Sequence, residues 1–393
     1  MRICLVYDHL FPQTIGGAER WLRDLALRLA ASGHEVTYLT MRHWPREAPP
    51  TLPGIRILGL TDPGRVYDAE RRTLGPPVRF GAAVARHLVR HGRDYDVVHT
   101  GAFPYFPLLA AAAARRRGRY RIFVDWYEVW TRDYWRRYAG WAVGTIGWLV
   151  QRACVRQAHR AFCLSQLHAA RLVAEGYPEA PTVLPGIYDG PMEPAPCREF
   201  DDNLVVFAGR LVREKRVDAL VRAFARARER HADLRLEIYG DGPQRSRVEA
   251  LVGDLGQGQS VRVAGPRPEE EVAAALGRAA CLASASEREG YGLVVVEAAA
   301  HGTPSVVVAG AENAATELVH DGVNGAIARD ASPEELADAM LRVVDAGRSL
   351  RTSTSNWFAT NAERLSLQTS LELVVRAYSE TPEPRRASPV ASP

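Results

Sequence analysis

Short apolar runs alternate with amphipathic stretches along almost the whole chain. Ile3 to Tyr7 is a continuous apolar run of the kind a strand buried on both faces requires. Ala18 to Ala31 follows with Trp21, Leu22, Leu25 and Leu29 at helical spacing, and Gly33 ends that helix. Val36 to Leu39 is the next strand, and Val97 to His99, Ile122 to Asp125 and Phe162 to Ser165 read as further ones. Around residues 189–203 the alternation stops in a proline-rich segment, Asp189-Gly190-Pro191-Met192-Glu193-Pro194-Ala195-Pro196. It then resumes, with strands near 204–208, 234–239, 261–264, 280–284 and 304–308 and helices between them.

Strand–helix alternation of this kind predicts βα units and parallel sheets. Two series joined by one linker predict two α/β domains, residues 1–190 and 204–364, with 191–203 as the linker. Ligands of doubly wound sheets sit at the carboxyl ends of the strands, so the two sets of βα loops are expected to face one cleft. The tail 381–393 is rich in Pro, Ser and Arg and is expected to be disordered.

Composition narrows the class. With 47% hydrophobic and 24% charged residues among 393, the chain is that of a globular protein. It has no run of the roughly 18–20 apolar residues that a membrane span needs. Met1 to Tyr7, ended by Asp8, is too short for a signal peptide, so a cytoplasmic location is expected. Five cysteines without a CxxC pair, and no Cys/His metal spacing, predict buried or incidental thiols and no metal site.

Charge is uneven. Residues 1–190 hold 26 Lys and Arg against 16 Asp and Glu, while the remainder holds 24 against 30. A basic first half suits an anionic partner, either a phosphorylated acceptor or an acidic membrane surface. No nucleic-acid-binding motif is present, so no nucleic acid partner is expected. Tyr134 to Val150 mixes Arg136 and Arg137 with Trp135, Trp141, Ile146, Trp148 and Leu149. Such a helix can lie in a membrane interface or be a core helix with a basic edge, and the sequence leaves both open.

The candidate chemistry begins with Lys215, the single lysine among 50 basic residues. A lysine ammonium is a compact point charge, and a guanidinium is a wide planar fork, so a tight site beside a phosphate can require the former. Lys215 follows Gly209-Arg210-Leu211, a turn directly after the apolar run Leu204 to Phe207. Further on, Glu289-Gly290-Tyr291-Gly292-Leu293-Val294 opens a helix that carries Glu297 in an otherwise apolar run. A helix start presents unpaired N–H groups that can hold a phosphate. Glu297, expected to be buried, could accept two ribose hydroxyls, or could instead pair with an internal arginine. Gly16-Gly17-Ala18-Glu19-Arg20 is a second anion site or a tight turn, and the absence of GxGxxG gives no support to a dinucleotide fold. Gly240-Asp241-Gly242-Pro243 reads as a structural turn with Asp241 as an N-cap.

Taken together these residues resemble the retaining glycosyltransferases of family 4, which have the GT-B fold of two Rossmann-like domains. The glycine loop at Gly16 and Gly17, Arg210 with Lys215, Gly240 to Pro243, Pro185-Gly186-Ile187-Tyr188-Asp189, and the E-x7-E element Glu289 to Glu297 occur in the family's order. The resemblance implies that Arg210 and Lys215 bind a donor diphosphate, Glu297 the ribose and Glu289 the transferred sugar. It also implies that amides from Gly290, Tyr291, Gly292, Leu293 and Val294 complete the cradle, and that Gly265 and Arg267 lie near the base. It implies a last helix, 365–380, returning to the first domain.

One departure stands out. Where relatives often carry a histidine beside the acceptor, this chain has Tyr127, with Asp125 and Glu128 beside it and His99 ending an earlier strand. These four residues form the expected acceptor side. The implied activity is metal-independent transfer, without a cofactor, from a nucleotide sugar (UDP-sugar favoured) to an acceptor glycan, lipid or metabolite, with retained configuration. An epimerase on the same fold and a catalytically silent nucleotide-sugar binder are the alternatives. A glycosidase needs two carboxylates but has no use for Arg210 and Lys215. Oligomeric state is left open.

Overall fold

Within each of two large sheets, every neighbouring pair of strands runs parallel. The computed structural model describes residues 1–380 apart from 15, 65, 66, 69, 70, 74 and 195–199. The tail expected to be disordered, and Ala195 and Pro196 of the proline-rich segment, lie outside the described residues.

The first sheet comprises β1 (Arg2–Val6), β2 (Glu35–Met41), β3 (Ile55–Thr61), β4 (Val97–Gly101), β5 (Arg121–Trp126), β6 (Arg160–Cys163) and β7 (Thr182–Val183), in the order 3-2-1-4-5-6-7. The second comprises β8 (Asp201–Ala208), β9 (Arg235–Tyr239), β10 (Val261–Gly265), β11 (Ala279–Ala283), β12 (Ser305–Val308) and β13 (Gly325–Ala328), in the order 10-9-8-11-12-13. Both sheets therefore reverse direction beside their first strand, the switch point at which doubly wound sheets bind ligands.

The chain divides into two compact units. Unit 1 is Met1–Leu184 together with the chain from Ser370, and unit 2 is Pro185–Thr369. The division falls before the proline-rich segment because Tyr188 is tied into unit 2. Its amide donates to the Leu365 carbonyl (3.1 Å) and its carbonyl accepts from Leu367 (2.7 Å). Gly186 is glycine for the same reason, since a Cβ there would lie 1.8 Å from the Leu365 carbonyl oxygen.

The helices cover both faces of each sheet. In unit 1, α1 (Gly17–Ala31) buries Trp21, Leu22, Leu25 and Leu29, the four residues read as its apolar face, and α2 (Gly75–His91) and α3 (Phe106–Gly118) follow. Phe80, Leu108, Ile122 and Trp126 belong to one unit 1 core cluster, and Phe207, Leu220, Phe224 and Leu236 to that of unit 2. Removing about 25 cal/mol of unfavourable hydration per Å² buried, these clusters supply the main drive for each fold. The segment 134–150 is not one helix: Gly140, at φ +85°, separates α4 (Arg132–Ala139) from α5 (Trp141–Val155). Likewise Ser366 separates a long helix, Pro333–Leu365, bent at Gly347, from the last one, Leu367–Glu380. Cys4, Cys154, Cys163 and Cys281 are free, buried thiols, and Cys197 lies outside the described residues.

Candidate active site

In unit 2 the loops at the carboxyl ends of β8, β9 and β10 are laced together by backbone hydrogen bonds. Leu211 N–H donates to Asp241 O (2.9 Å), Gln244 N–H to Leu211 O (2.9 Å), and Gly240 N–H to Gly265 O (2.9 Å). The glycines permit this approach. A Cβ at Gly240 would lie 1.9 Å from the Gly209 carbonyl oxygen, and one at Gly242 would lie 2.4 Å from that of Leu211. Gly240 to Pro243 is thus structural, as read from the sequence, but Asp241 is not a helix cap. The cap residue is Gln244, and Asp241 accepts from the Gly242 amide (2.9 Å) beside the Arg245 guanidinium (3.8 Å).

Arg210 projects from the first of these loops and is exposed. Five residues on, at the end of a short 3-10 turn (Arg213–Lys215), Lys215 forms an ion pair with Glu289. The neighbouring residues form a second pair in the same register, Glu214 with Arg288 at 3.1 Å, and Glu287 N–H donates to Glu214 O (2.9 Å). Two segments of alternating charge, Arg213-Glu214-Lys215 and Glu287-Arg288-Glu289, are therefore joined side by side. Sequence reasoning found one of the two pairs' partners and missed Glu214 and Arg288. Their alternation of sign is the signal that could have found them.

The Glu289 strand pairs with Glu312–Asn313. Asn313 fixes the turn, its amide donating to Ser286 O (3.1 Å) and Val308 O (2.8 Å) and its oxygen accepting from Ala315 N (3.1 Å). After Gly290 comes Tyr291, buried, whose hydroxyl donates to Pro185 O (3.2 Å). Gly292 then starts α10 (Leu293–Ala300; α6 to α9 are Gln166–Ala174, Val217–Arg228, Arg245–Asp254 and Glu269–Arg278). Gly292 has φ +100°, and a Cβ would meet that of Ala315 at 2.7 Å, so both backbone and packing demand glycine. Of the first-turn amides of α10, that of Val295 donates to Gly292 O (2.9 Å); those of Leu293 and Val294 precede any helical carbonyl they could reach, and the dipole there favours an anion.

Glu297 lies one turn further along α10. It is half-buried, not buried as expected, because helix residues Val295, Val296 and Ala298 take the core face. It stands close enough to Tyr188 to help raise that phenol's pKa to about 12, although burial is the larger cause. Gly265 sits at φ +74° against the Arg245 guanidinium. Arg267 donates to the Ala264 carbonyl (3.2 Å). Unit 2 thus brings Arg210, Lys215, Glu289, Glu297 and the Gly290–Val294 turn to one edge of its sheet, with Gly265 and Arg267 on the next loop.

The residues expected on the acceptor side belong to unit 1. Asp125, at the end of β5, is 2% exposed; its Oδ2 accepts from Trp21 Nε1–H (2.8 Å) and Tyr127 O–H (3.2 Å), and its Oδ1 lies 2.9 Å from His99 Nε2 without hydrogen-bond alignment. The other ring nitrogen of His99, Nδ1, is bonded to the Tyr378 hydroxyl. His99 and Asp125 were expected to face an acceptor. They are instead enclosed, because Trp21 and Tyr378 cover the strand ends that carry them. Neither covering residue is adjacent in sequence, so no local signal pointed to them.

Tyr127 is half-buried, and burial with the Asp125 carboxylate holds its phenol well above the usual value. It can donate a hydrogen bond and cannot serve as a base near neutral pH. Glu128 accepts from Trp130 Nε1–H (2.7 Å). Beside Tyr127 lie Tyr7, with ring centres 6.4 Å apart, and then His9, whose Nδ1 is hydrogen-bonded to His43 Nε2 (3.1 Å). These residues also end strands, and sequence reasoning did not single them out. Gly16 caps α1 with the Glu19 carboxylate folded over it, where a Cβ would lie 2.3 Å from Oε2, and Gly17 has open space. A carboxylate over the amides of that first turn opposes an anion there, so the turn reading of Gly16 and Gly17 is the better one. Among the described residues no group of three His, Cys, Asp or Glu side chains is placed to hold a metal ion.

Comparison with known proteins follows the two units. Residues 16–186 match the model of the glycosyl transferase 4-like domain, and residues 197–364 match that of glycosyl transferases group 1. Together the two matches span most of the chain. The MMP alpha-(1->4)-mannosyltransferase of Mycolicibacterium hassiacum is 28% identical over 419 aligned positions, covering 97% of this chain and 98% of the relative. The D-inositol 3-phosphate glycosyltransferase of Acidothermus cellulolyticus is 27% identical, covering 98% and 92%. Among solved structures, Anabaena HepE in complex with UDP superposes with a TM-score of 0.72 at 19% identity, covering 97% of this chain and all of that one. With both halves matched in order and the two parallel sheets in place, the chain belongs to the GT-B glycosyltransferases of the family 4 and group 1 type.

Proposed function

We propose that this glycosyltransferase moves a sugar from a nucleoside-diphosphate donor, UDP-sugar favoured, to an acceptor hydroxyl with retained anomeric configuration and without a metal. The observation that carries the reading is the Lys215–Glu289 pair beside the amide-rich start of α10. It sets a cation for phosphate next to a carboxylate for sugar hydroxyls. Arg210 is a second, exposed cation on the same loop system. Two cations and a helix start can supply the charge that a metal would otherwise bring to a diphosphate.

In the proposed step the bond from the anomeric carbon to the β-phosphate oxygen breaks, and charge collects on that phosphate, where Arg210 and Lys215 stabilise it. The acceptor oxygen bonds to the same face of the anomeric carbon. Its proton passes to the departing phosphate oxygen, so no protein nucleophile is needed. Glu289 orients the transferred sugar and Glu297 the ribose. Tyr127 holds the acceptor by a hydrogen bond or by stacking. UDP is favoured because the HepE structure holds it.

The test is to incubate the pure chain with UDP-, GDP- and ADP-sugars and candidate acceptors, with EDTA present, and to follow nucleoside diphosphate release and product stereochemistry by NMR. Release with a retained anomeric centre supports the reading. An inverted product, loss of turnover in EDTA, or isomerisation of the donor without release would contradict it.

A further inference from the structure

In α5 the usual placement of large and small residues is turned inside out. Toward the protein it presents Gly144 and Gly147, packed so closely on Trp135 that a Cβ would lie 2.3 Å from the Trp135 carbonyl oxygen at the first and 2.6 Å from its ring at the second. Toward solvent it presents Val143, Ile146 and Leu149, 53%, 62% and 53% exposed, with Ala142 and Ala153 continuing the row and Trp141, 72% exposed, at its start. Spacings of three and four residues set these on one face. No charged residue occurs from Trp141 to Gln151. A surface helix ordinarily turns its apolar stripe inward, so a contiguous apolar row facing out marks a docking surface.

The surroundings say what docks. From Thr131 to Gln157 there are five arginines (132, 136, 137, 152 and 156) and one acidic residue, Asp133. Arg136 lies over the Trp141 ring (5.5 Å), and Arg132 and Arg152 lie over that of Trp148 (5.1 and 4.9 Å). Glu175, from outside this segment, accepts from Trp148 Nε1–H (3.0 Å) and pairs with Arg152 (3.6 Å), so that indole and that guanidinium are held by the protein and the lipid contacts fall to Trp141 and the other arginines. An apolar ridge edged by arginines and tryptophans fits the interface of an anionic bilayer. Alkyl side chains enter the acyl boundary, indoles sit at headgroup level, and guanidinium groups meet lipid phosphates. A second copy of the chain would instead set these arginines against one another. The helix spans about 22 Å at 1.5 Å per residue, enough to lie along a membrane and too short to cross one.

We propose that the outer face of α5 seats unit 1 on an anionic lipid surface. The inference does not depend on the donor or the acceptor, so it stands or falls apart from the proposed reaction.

The experiment is flotation of the full chain with vesicles of phosphatidylcholine alone, and of phosphatidylcholine with phosphatidylglycerol, at low and moderate salt. The chain should float with the anionic vesicles, more weakly as salt rises, and Trp141 fluorescence should shift to the blue. Ile146→Glu with Leu149→Glu should lower the bound fraction at least tenfold with an unchanged melting curve. Ile146→Ser with Leu149→Ser serves if the glutamate pair does not fold. Arg137→Gln with Arg156→Gln should weaken anionic binding several-fold and flatten its salt dependence. The proposal is overturned if neither vesicle binds, or if the Ile146 and Leu149 variants bind as well as the parent. It is also overturned if light scattering shows a dimer that Ile146→Glu dissolves, since a second copy then covers the face.

Discussion

Lys215 and Glu289, 74 positions apart in the sequence, form an ion pair in which the two side chains are only 21% and 14% exposed. The Glu214–Arg288 pair beside it (3.1 Å) joins the same two segments. A pair this sheltered depends on both partners, because removing one leaves the other charged group without its compensation.

Lys215→Arg should therefore fail despite keeping the charge. The planar fork cannot take the ammonium's place between Glu289 and a phosphate without displacing one of them. Turnover should fall by about 10²–10³, the usual cost of losing one preorganised donor to developing charge. Steady-state kinetics of the arginine variant checks this, and normal turnover would show that a point charge is not required.

Glu297→Gln and Glu289→Gln should separate. Glu297 stands within α10, past the amides that would hold phosphate, while Glu289 stands on the Lys215 side. Calorimetry with the bare nucleoside diphosphate should show weakened binding for the Glu297 variant and little change for the Glu289 variant, whose loss should appear in kcat. Equal weakening by both would rule out the division between ribose and sugar.

Tyr378→Phe should destabilise unit 1 by about 1–3 kcal/mol, because it leaves the fully buried His99 Nδ1 without its hydroxyl partner. Tyr127→Phe should cost less, since Tyr127 is half-buried and Asp125 keeps its bond from Trp21 Nε1–H. Urea unfolding of the two variants compares them directly. Similar losses would mean that Asp125 does not depend on the His99 side of its network.

Acid should loosen unit 1 through its buried histidines. Burial lowers the His159 pKa from 6.5 to about 4. The ring is held neutral, Nδ1–H donating to Gln157 O (2.7 Å) and Nε2 accepting from Trp126 Nε1–H (3.1 Å). A proton on Nε2 would set two donors face to face. Between pH 6.5 and 4 the unfolded chain binds a proton that the folded chain does not, so this stability is full above 6.5 and is lost as pH falls toward 4. The ceiling is about 3 kcal/mol, at about 1.4 kcal/mol per pH unit. His87 is also lowered to about 4, chiefly by burial, and adds a smaller share because its ring is nearer solvent. Melting temperature against pH should show this slope, and His159→Gln should flatten it.

Much of the fold was legible because parallel strands buried on both faces are nearly continuous apolar runs, as in Ile3 to Tyr7 and Val97 to His99. β3 escaped notice because it is an edge strand, partly exposed along its length, with a weaker pattern. β13, Gly-Ala-Ile-Ala, has little strand propensity and exists because it fits against β12, where a Cβ at Gly325 would meet the Ser305 carbonyl at 1.9 Å. At the candidate site, Lys215 and the Glu289 to Glu297 element were legible as isolated chemistry. That Lys215 pairs with Glu289, and that Trp21 and Tyr378 enclose His99 and Asp125, are contacts between distant segments and leave no trace in local spacing.

The central claim is that the edge of unit 2 carrying Lys215 and Glu297 binds a donor's diphosphate and ribose. The direct measurement is calorimetric titration of UDP, GDP and ADP into the parent chain, Lys215→Met and Glu297→Gln, without added metal. The account predicts that at least one nucleotide binds, UDP before the others, and that each substitution weakens it tenfold or more while the melting curve of the free protein shows a folded chain. Binding of none of the three, or binding that both variants keep at parental strength, would contradict it.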